Sequence, residues 1–472
     1  MLSGKILKAQ GWPEGRVIGL AKTAARQLED SGQARDDILA RLDGVRVAPK
    51  DHLDDPLFGA LAREWLRRSQ PEPLDDELRD KPAAYGVWGA EQIDAEAKAQ
   101  MERALRLPVA VAGALMPDAH VGYGLPIGGV LAAHEAVIPY AVGVDIACRM
   151  RLSVYPLPPE TIRQRADEFR RSLTERTRFG QREVWERRDL PQHPVVDDPT
   201  WHETRLLKSL QGKAATQLGT SGSGNHFVEW GMFRLYEDDA ALGLAAGEYL
   251  ALLSHSGSRG VGFKIANTFT SIAQQLHPKL DPTVRHLAWL PLDSEPGQEY
   301  WQAMELAGRF ASANHYVIHH RVAQAVGLEE VAVVENYHNF AWRETLPDGT
   351  SAITHRKGAT PAEVGMLGVI PGSMGDAGYV VRGKGDPAAL NSAAHGAGRA
   401  MSRRAALNSI SKSARDEYLR QRGITLLGGG MDEAPQAYKD IEGVIAAQDD
   451  LVEVIGKFTP RLVRMADEAG DY

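Results

Sequence analysis

The run Leu250-Ala251-Leu252-Leu253-Ser254-His255-Ser256-Gly257-Ser258-Arg259-Gly260 joins two kinds of sequence. Its first half is apolar and short, as a buried strand is. Its second half is small and polar and carries an imidazole and a guanidinium. The same join recurs where Glu330-Val331-Ala332-Val333-Val334 leads to Tyr337-His338-Asn339. Buried strands that deliver polar residues at their ends make rigid sites. Gly128-Gly129-Val130-Leu131-Ala132-Ala133 is a further apolar run among Gly-rich turns, and Val109-Ala110-Val111-Ala112 reads as a short strand. Ile93 to Leu107, Ala303 to Gln324 and Ala400 to Arg420 keep a helical period.

The N-terminal part has another texture. Gly19 to Leu28 and Asp36 to Leu42 read as Ala- and Arg-rich amphipathic helices, and Pro71, Pro73 and Pro82 mark a linker. This predicts a helical segment and linker over 1–84 and a catalytic domain over 85–472. The 472 residues are 43% hydrophobic, enough for a sizeable core. A net charge of −8 rules out a global cationic field, so nucleic-acid binding needs a local patch. No apolar stretch is long enough to span a bilayer. One cysteine without a signal-like opening fits a reducing cytoplasm. No P-loop occurs, because Ile6, Ala214, Gly385 and Phe458 follow the Gly-Lys pairs. HExxH and a strand-borne GxGxxG are also absent.

The lone cysteine, Cys148, lies three residues after Asp145 in Gly143-Val144-Asp145-Ile146-Ala147-Cys148-Arg149. Alone, it reads as a small buried hydrophobe. Converging with Asp145 and several His, it makes a mixed O/N/S site for an ion such as Mn, Zn, Co or Fe. The His contexts are Asn225-His226, Ser254-His255-Ser256, Tyr337-His338-Asn339 and Ala394-His395-Gly396. Leu218 to Glu229 offers backbone N–H groups and hydroxyls that suit a phosphate. Arg259, and Arg399, Arg403 and Arg404 after His395, are phosphate-type cations. His355-Arg356-Lys357 places two cations beside a His, and Ile370 to Gly378 is a nest-like loop. Taken singly, each of these loops reads more readily as a polar turn than as a site. His120, inside the Gly/Pro-dense loop 116–129, reads equally as a hydrogen-bonded turn residue.

Nine motifs occur in one order: MPDAHVGYGLPIGG (116–129), GVDIAC (143–148), LGTSGSGNHFVEW (218–230), HSGSRG (255–260), HN (338–339), HRKGAT (355–360), PGSMG (371–375), AHGAGRAMSR (394–403) and EAPQAYKD (433–440). Together they resemble the RtcB family of RNA-splicing and RNA-repair ligases over roughly residues 85 to 455. The resemblance implies an α+β fold with mixed sheets flanked by helices around a deep metal-containing cleft. It implies joining of an RNA 3′-phosphate or 2′,3′-cyclic phosphate to a 5′-hydroxyl, with GTP, two Mn²⁺ ions and a GMP-histidine intermediate.

By the same resemblance, Asp145, Cys148, His226, His255 and His338 hold the metals and His395 is the nucleophile. Asn225, Asn339, Pro371, Gly372, Ser373, Met374 and Gly398 serve the nucleotide, and Glu229 and Tyr438 the guanine. Arg259, Arg399 and Arg403 meet RNA phosphates. RNA repair or tRNA splicing is the implied role, with an archease-type activator as an implied partner. Three features depart from the family pattern: Arg149 stands for the usual Gly, Pro139-Tyr140-Ala141 replaces a Gly-richer run, and the tail from Arg464 to Tyr472 lacks the family's Lys toward guanine. Two alternatives remain at this stage. One is an enzyme that caps nucleic-acid 3′-phosphates with GMP without efficient sealing. The other is an RNA-binding accessory protein with a decayed site.

Overall fold

The computed structural model describes residues 3–13, 15–69 (backbone alone at 67–69) and 74–467. Pro71, Pro73 and the tail beyond Asp467 lie outside the described residues. The chain divides into two compact units between Asp75 and Asp76.

In the first unit, helices Gly4–Ala9, Arg16–Asp30, Arg35–Val47 and Gly59–Ser69 enclose one small core. Val17, Ala21, Ala24, Ala25 and Leu28 form the buried stripe of the longest helix, at the spacing a 3.6-residue period requires. Trp12 packs edge-on against Trp65.

The second unit begins earlier than residue 85. Asp76 accepts a hydrogen bond from His277 Nδ1 at 2.5 Å and another from the Lys279 backbone N–H. Arg79 donates to the Ala110 carbonyl. Segment 76–84, with Pro82, is therefore tied into this unit.

The architecture is mixed α+β. A five-stranded sheet runs Tyr85–Val87, Ala110–His120, Ile127–Ala133, Ser351–Lys357, Phe340–Thr345. A larger sheet runs Leu367–Ile370, Gly378–Gly383, Val452–Met465, Phe227–Leu235, Gly247–Ser256, Arg149–Tyr155, Ala332–Tyr337, with Thr425–Leu427 paired to the long Val452 strand. Its central strands are near-continuously buried, yet only Gly247–Ser256 reads as an apolar run; Arg149–Tyr155 alternates Arg149, Arg151 and Ser153 with Met150, Leu152 and Val154. Helices Arg259–Leu276 and Glu295–Gln324 share a core through Val261, Ile265, Phe269, Tyr300, Met304 and Phe310.

Several boundaries differ from the sequence reading. Met116 to His120 is not loop but the end of the Ala110 strand, where the register slips after Leu115. His255 lies within its strand, not after it. The helix read from Ala303 starts at Glu295, because Ser294 caps it. The helix read over Ala400 to Arg420 is two, Arg403–Ser409 and Lys412–Gln421, each capped by its own serine, Ser402 and Ser411.

Two buried histidines serve the scaffold. His355 Nδ1 donates to the Leu131 carbonyl, and its Nε2 accepts from the Ile138 N–H. Burial pushes His355 down to about 4 and His315 to about 3. Both bind a proton more weakly folded than unfolded, where the value is about 6.5. Their contribution to stability is complete above that pH and is lost as pH falls toward the folded values. Between about pH 7 and pH 5 each should remove about 2 kcal/mol from the unfolding free energy. Urea midpoints across that range should fall, and His355→Gln should flatten the fall; parallel slopes for the two proteins would refute this.

Candidate metal and nucleotide site

Four neighbouring strands of the large sheet run antiparallel in the order Phe227, Gly247, Arg149, Ala332. His226 immediately precedes the first, His255 closes the second, Cys148 precedes the third and His338 follows the fourth. Antiparallel neighbours alternate direction, so a start, an end, a start and an end fall on one edge of the sheet. Register confirms it: His255 faces Phe227 and Met150, and Arg149 faces Tyr337.

Backbone hydrogen bonds carry the ladder past the strand ends. The His338 N–H donates to the Cys148 carbonyl at 2.9 Å, and the Ala147 N–H to the Asn339 carbonyl at 2.8 Å. Ala147 and Asn339 take left-handed φ values of 55° and 59° in these paired turns. The Cys148 N–H donates to the Asp145 carbonyl, which closes a turn that brings carboxylate and thiol to one side.

The resulting cluster is tight. Cys148 Sγ lies 3.0 Å from His255 Nε2 and 3.5 Å from His226 Nε2. His255 Nε2 lies 3.3 Å from His338 Nε2, and His226 Nε2 lies 3.0 Å from Asp145 Oδ2. These atoms form two potential ligand groups, Cys148–His255–His338 and Asp145–Cys148–His226, which share the sulfur.

Tautomers follow from the outer contacts. His226 Nδ1 donates to the Ser221 carbonyl at 2.5 Å and His255 Nδ1 to the Asn225 carbonyl at 3.1 Å. A carbonyl only accepts, so in the neutral rings both Nε2 atoms are bare and aimed inward. Burial depresses His255 and His338 well below the ordinary histidine range, with neighbouring imidazoles adding to the effect. Burial, reinforced by Asp145, pushes the Cys148 thiol up. Asp145 Oδ2 is buried without a hydrogen-bond donor. Converging lone pairs with the Cys148 S–H as a weak donor among them fit a divalent cation, which would displace the thiol proton and satisfy the bare acceptors.

The cluster forms the floor of a cleft of about 1160 Å³. Of the sequence-derived candidates, all but Glu229 and Arg259 line it: Asp145, Cys148, Asn225, His226, His255, His338, Asn339, Pro371, Gly372, Ser373, Met374, His395, Gly398, Arg399, Arg403 and Tyr438. Glu229 is buried one pair below Phe227, between Leu253 and Val463, where desolvation pushes its carboxyl well up. Arg259 lies behind the loop instead of facing the cleft. Its guanidinium donates to Thr220 Oγ1 and to the Gly180 carbonyl, and it occupies the space a Cβ on Gly222 would need. It therefore props the 219–224 loop that leads to Asn225 and His226.

Arg399 and Arg403 line the cleft already engaged. Arg399 donates to Glu433 and to the Asp432 carbonyl, and Arg403 pairs with Asp432 and Glu433. The Tyr438 hydroxyl donates to Glu433 as well. Ser373 Oγ donates to Asp376 and accepts from the Gly375 N–H, which fixes the 371–375 turn.

Two further functional groups are present that the sequence reading did not assign. Asp118, fully buried, accepts from His395 Nδ1 at 2.6 Å and from the His395 backbone N–H at 3.2 Å. Lys439 holds the backbone on either side of it through the Pro117 and Ala119 carbonyls. Asp118 and His395 are 277 residues apart, so no local pattern announces the pair. Lys357 lines the cleft and burial lowers it to about 7, whereas Arg356 is spent in a buried pair with Glu344. His120 also lines the cleft, hydrogen-bonded to the Asp118 carbonyl. The His395 ring centroid lies 4.8 Å from that of His338, which joins the Asp118–His395 pair to the cluster.

Gly257 gives a direct check on the ligand set. A Cβ there would sit 2.3 Å from both Asp145 carboxylate oxygens. Gly257→Ala should displace Asp145 and weaken divalent-ion binding about tenfold or more, with the circular dichroism of the fold retained. Unchanged Mn²⁺ affinity by titration calorimetry would remove Asp145 from the site.

Comparison with known proteins agrees with this geometry. A family model described as tRNA-splicing ligase RtcB matches residues 100–466. The RNA-splicing ligase RtcB of Escherichia coli strain K12 is 32% identical over 398 residues, covering 77% of this chain and 92% of that protein. The RNA-splicing ligase RtcB of Mycobacterium tuberculosis strain H37Rv is 33% identical, covering 73% and 94%. The tRNA-splicing ligase RtcB of Thermococcus kodakarensis is 32% identical, covering 70% and 82%. With one model spanning most of its length and relatives at this identity, the chain belongs to the RtcB family of tRNA-splicing ligases.

Proposed function

We propose that this chain is an RNA ligase that joins a 3′-phosphate or 2′,3′-cyclic phosphate end to a 5′-hydroxyl end, using GTP and two Mn²⁺ ions. The observation that carries the reading is His395. Asp118 takes its Nδ1–H, so Nε2 is the free nitrogen, and the ring stands beside the ligand cluster. A buried carboxylate that fixes the tautomer and accepts the positive charge formed on attack is what a nucleophilic imidazole needs. When bound, the divalent ions supply charge stabilisation at the attacking and leaving phosphate oxygens.

The steps follow from the chain's own groups. His395 Nε2 attacks the α-phosphorus of GTP; the N–P bond forms and pyrophosphate leaves. Asp118 neutralises the ring while the phosphoramidate persists. An RNA 3′-phosphate oxygen then takes the GMP and frees His395. Water opens any cyclic phosphate beforehand. Last, the 5′-hydroxyl oxygen attacks the RNA phosphorus, the phosphodiester forms and GMP departs. Asn225 and the Pro371–Met374 turn line the cleft where the nucleotide phosphates would lie. Tyr438, which lines the cleft, is the candidate for the base. A thiolate ligand at Cys148 suits a reducing cytoplasm, and no helix among the described residues is long and apolar enough to cross a membrane. An archease-type activator belongs to the reading as a partner.

A second reading is GMP capping of 3′-phosphates with little sealing. It draws on Arg399 and Arg403, whose charges are already balanced by Asp432 and Glu433. One experiment separates the two. With α-labelled GTP and Mn²⁺, the wild type should acquire label on protein, pass it to a 3′-phosphate RNA and release labelled GMP as a joined product appears. Accumulation of labelled RNA without joining would favour capping. His395→Ala should lose protein labelling with its metal content unchanged, and Asp118→Asn should slow labelling about 100-fold or more. Full labelling of the His395 variant would overturn the assignment.

A further inference from the structure

At one end of the cleft three rings stand together. Tyr140 and His286 lie 5.1 Å apart at 32°, and Tyr123 meets His286 at 6.3 Å and 67°. Tyr123 and Tyr140 line the cleft. Tyr123 is 67% exposed, and His286 is exposed too. Lys357 fastens the group from below. Its ammonium donates to the Tyr123 carbonyl at 2.5 Å and stands 5.0 Å from the Tyr140 ring centroid. The next residue, Gly358, has φ near 60°, and a Cβ on it would lie 3.2 Å from His395 Cε1. The rings therefore continue the reacting centre through two adjacent residues, with a buried cation between.

A large ring left in water at the mouth of a polar cleft gains nothing from folding. Aromatic faces beside cations are how proteins hold unpaired nucleobases, since every base has a π-face. A flat hydrophobic partner is less suitable, because the Lys357 amine and the other polar groups of the cleft adjoin the rings.

Resting on the RNA reading above, we propose that Tyr123, Tyr140 and His286 form a stacking subsite for the unpaired nucleobase adjacent to the reacting RNA end. The subsite selects single-stranded ends over base-paired ones, because a paired terminal base is held to its partner by its edge and cannot turn onto the cleft wall without breaking the pair. It is tolerant of base identity, since stacking reads a face and not a hydrogen-bonding edge.

The test uses the full chain with Mn²⁺ and short RNAs carrying 2-aminopurine at the terminal position. One has a 5′-hydroxyl end and one a 3′-phosphate end. Binding is followed by anisotropy and stacking by quenching of the base fluorescence. Wild type should quench at least one end on binding, and the end that is quenched identifies the strand. Tyr123→Ala should abolish quenching and weaken that RNA about tenfold, whereas Tyr123→Trp should restore both. An RNA abasic at the terminal position should bind as weakly to wild type as the normal RNA binds to Tyr123→Ala, and the substitution should cost it nothing more. Binding of both ends without quenching overturns the subsite alone. An equal loss on the abasic RNA also overturns it, by showing that Tyr123 acts through the fold. Failure of both RNAs to bind overturns the RNA reading and the subsite with it.

Discussion

Acceptor lone pairs crowded together at the floor of the cleft are the constraint around which this unit is organised. Cys148, His255, His226 and Asp145 present acceptors to one another at 3.0 to 3.5 Å. A buried acceptor without a donor costs about 1–3 kcal/mol, more when charged. The Cys148 thiol brings one weak donor to the group, fewer than the acceptors around it. Ser221 and Asn225 carbonyls take the outer ring protons, so the inner nitrogens stay bare. The arrangement becomes favourable when a cation enters. The fold thus spends stability on holding four strand ends flush, and antiparallel pairing is what makes that possible.

His395 is carried by a different part of the fold. It follows Ser392–Ala394, which pairs with Ala359–Pro361 in a two-stranded sheet of its own. That small sheet continues from the Ser351–Lys357 strand through Gly358, so the five-stranded sheet sets its position. Asp118 comes from the same five-stranded sheet. Its carbonyl would collide at 2.1 Å with a Cβ on Gly398, whose φ is 71°. Ligands and nucleophile therefore come from separate sheets that meet at the cleft, and the Gly358 N–H donating to Asn339 Oδ1 and the Asn336 side chain donating to Thr360 tie the two together.

The ligand residues were legible in sequence because the chain lacks competitors. One cysteine, and His residues at the ends of apolar runs, leave few ways to build a soft metal site. The strand-then-His pattern is a local signal that the structure keeps at His338, whereas His255 falls inside the last residues of its strand. What was not legible was long-range. The Asp118–His395 pair spans 277 residues. Met116 to His120 was read as loop because Pro and Gly surround it, yet tertiary pairing draws it into a strand. Ala400 to Arg420 read as one helix because its period survives the break; the break is set by serine caps, which compete locally with helix continuation.

Arg259 shows why residue type alone overreaches. A guanidinium in a Gly/Ser loop suggests a phosphate, but here it takes a left-handed φ of 57° and turns inward. There it ties Thr220 to Gly180 and steadies the turn that delivers His226. Arg399 and Arg403 face the cleft, but Asp432 and Glu433 balance them. With these two arginines already paired, the acceptor-rich floor at the strand ends is where positive charge would have to be added before a phosphate could settle deep in the cleft.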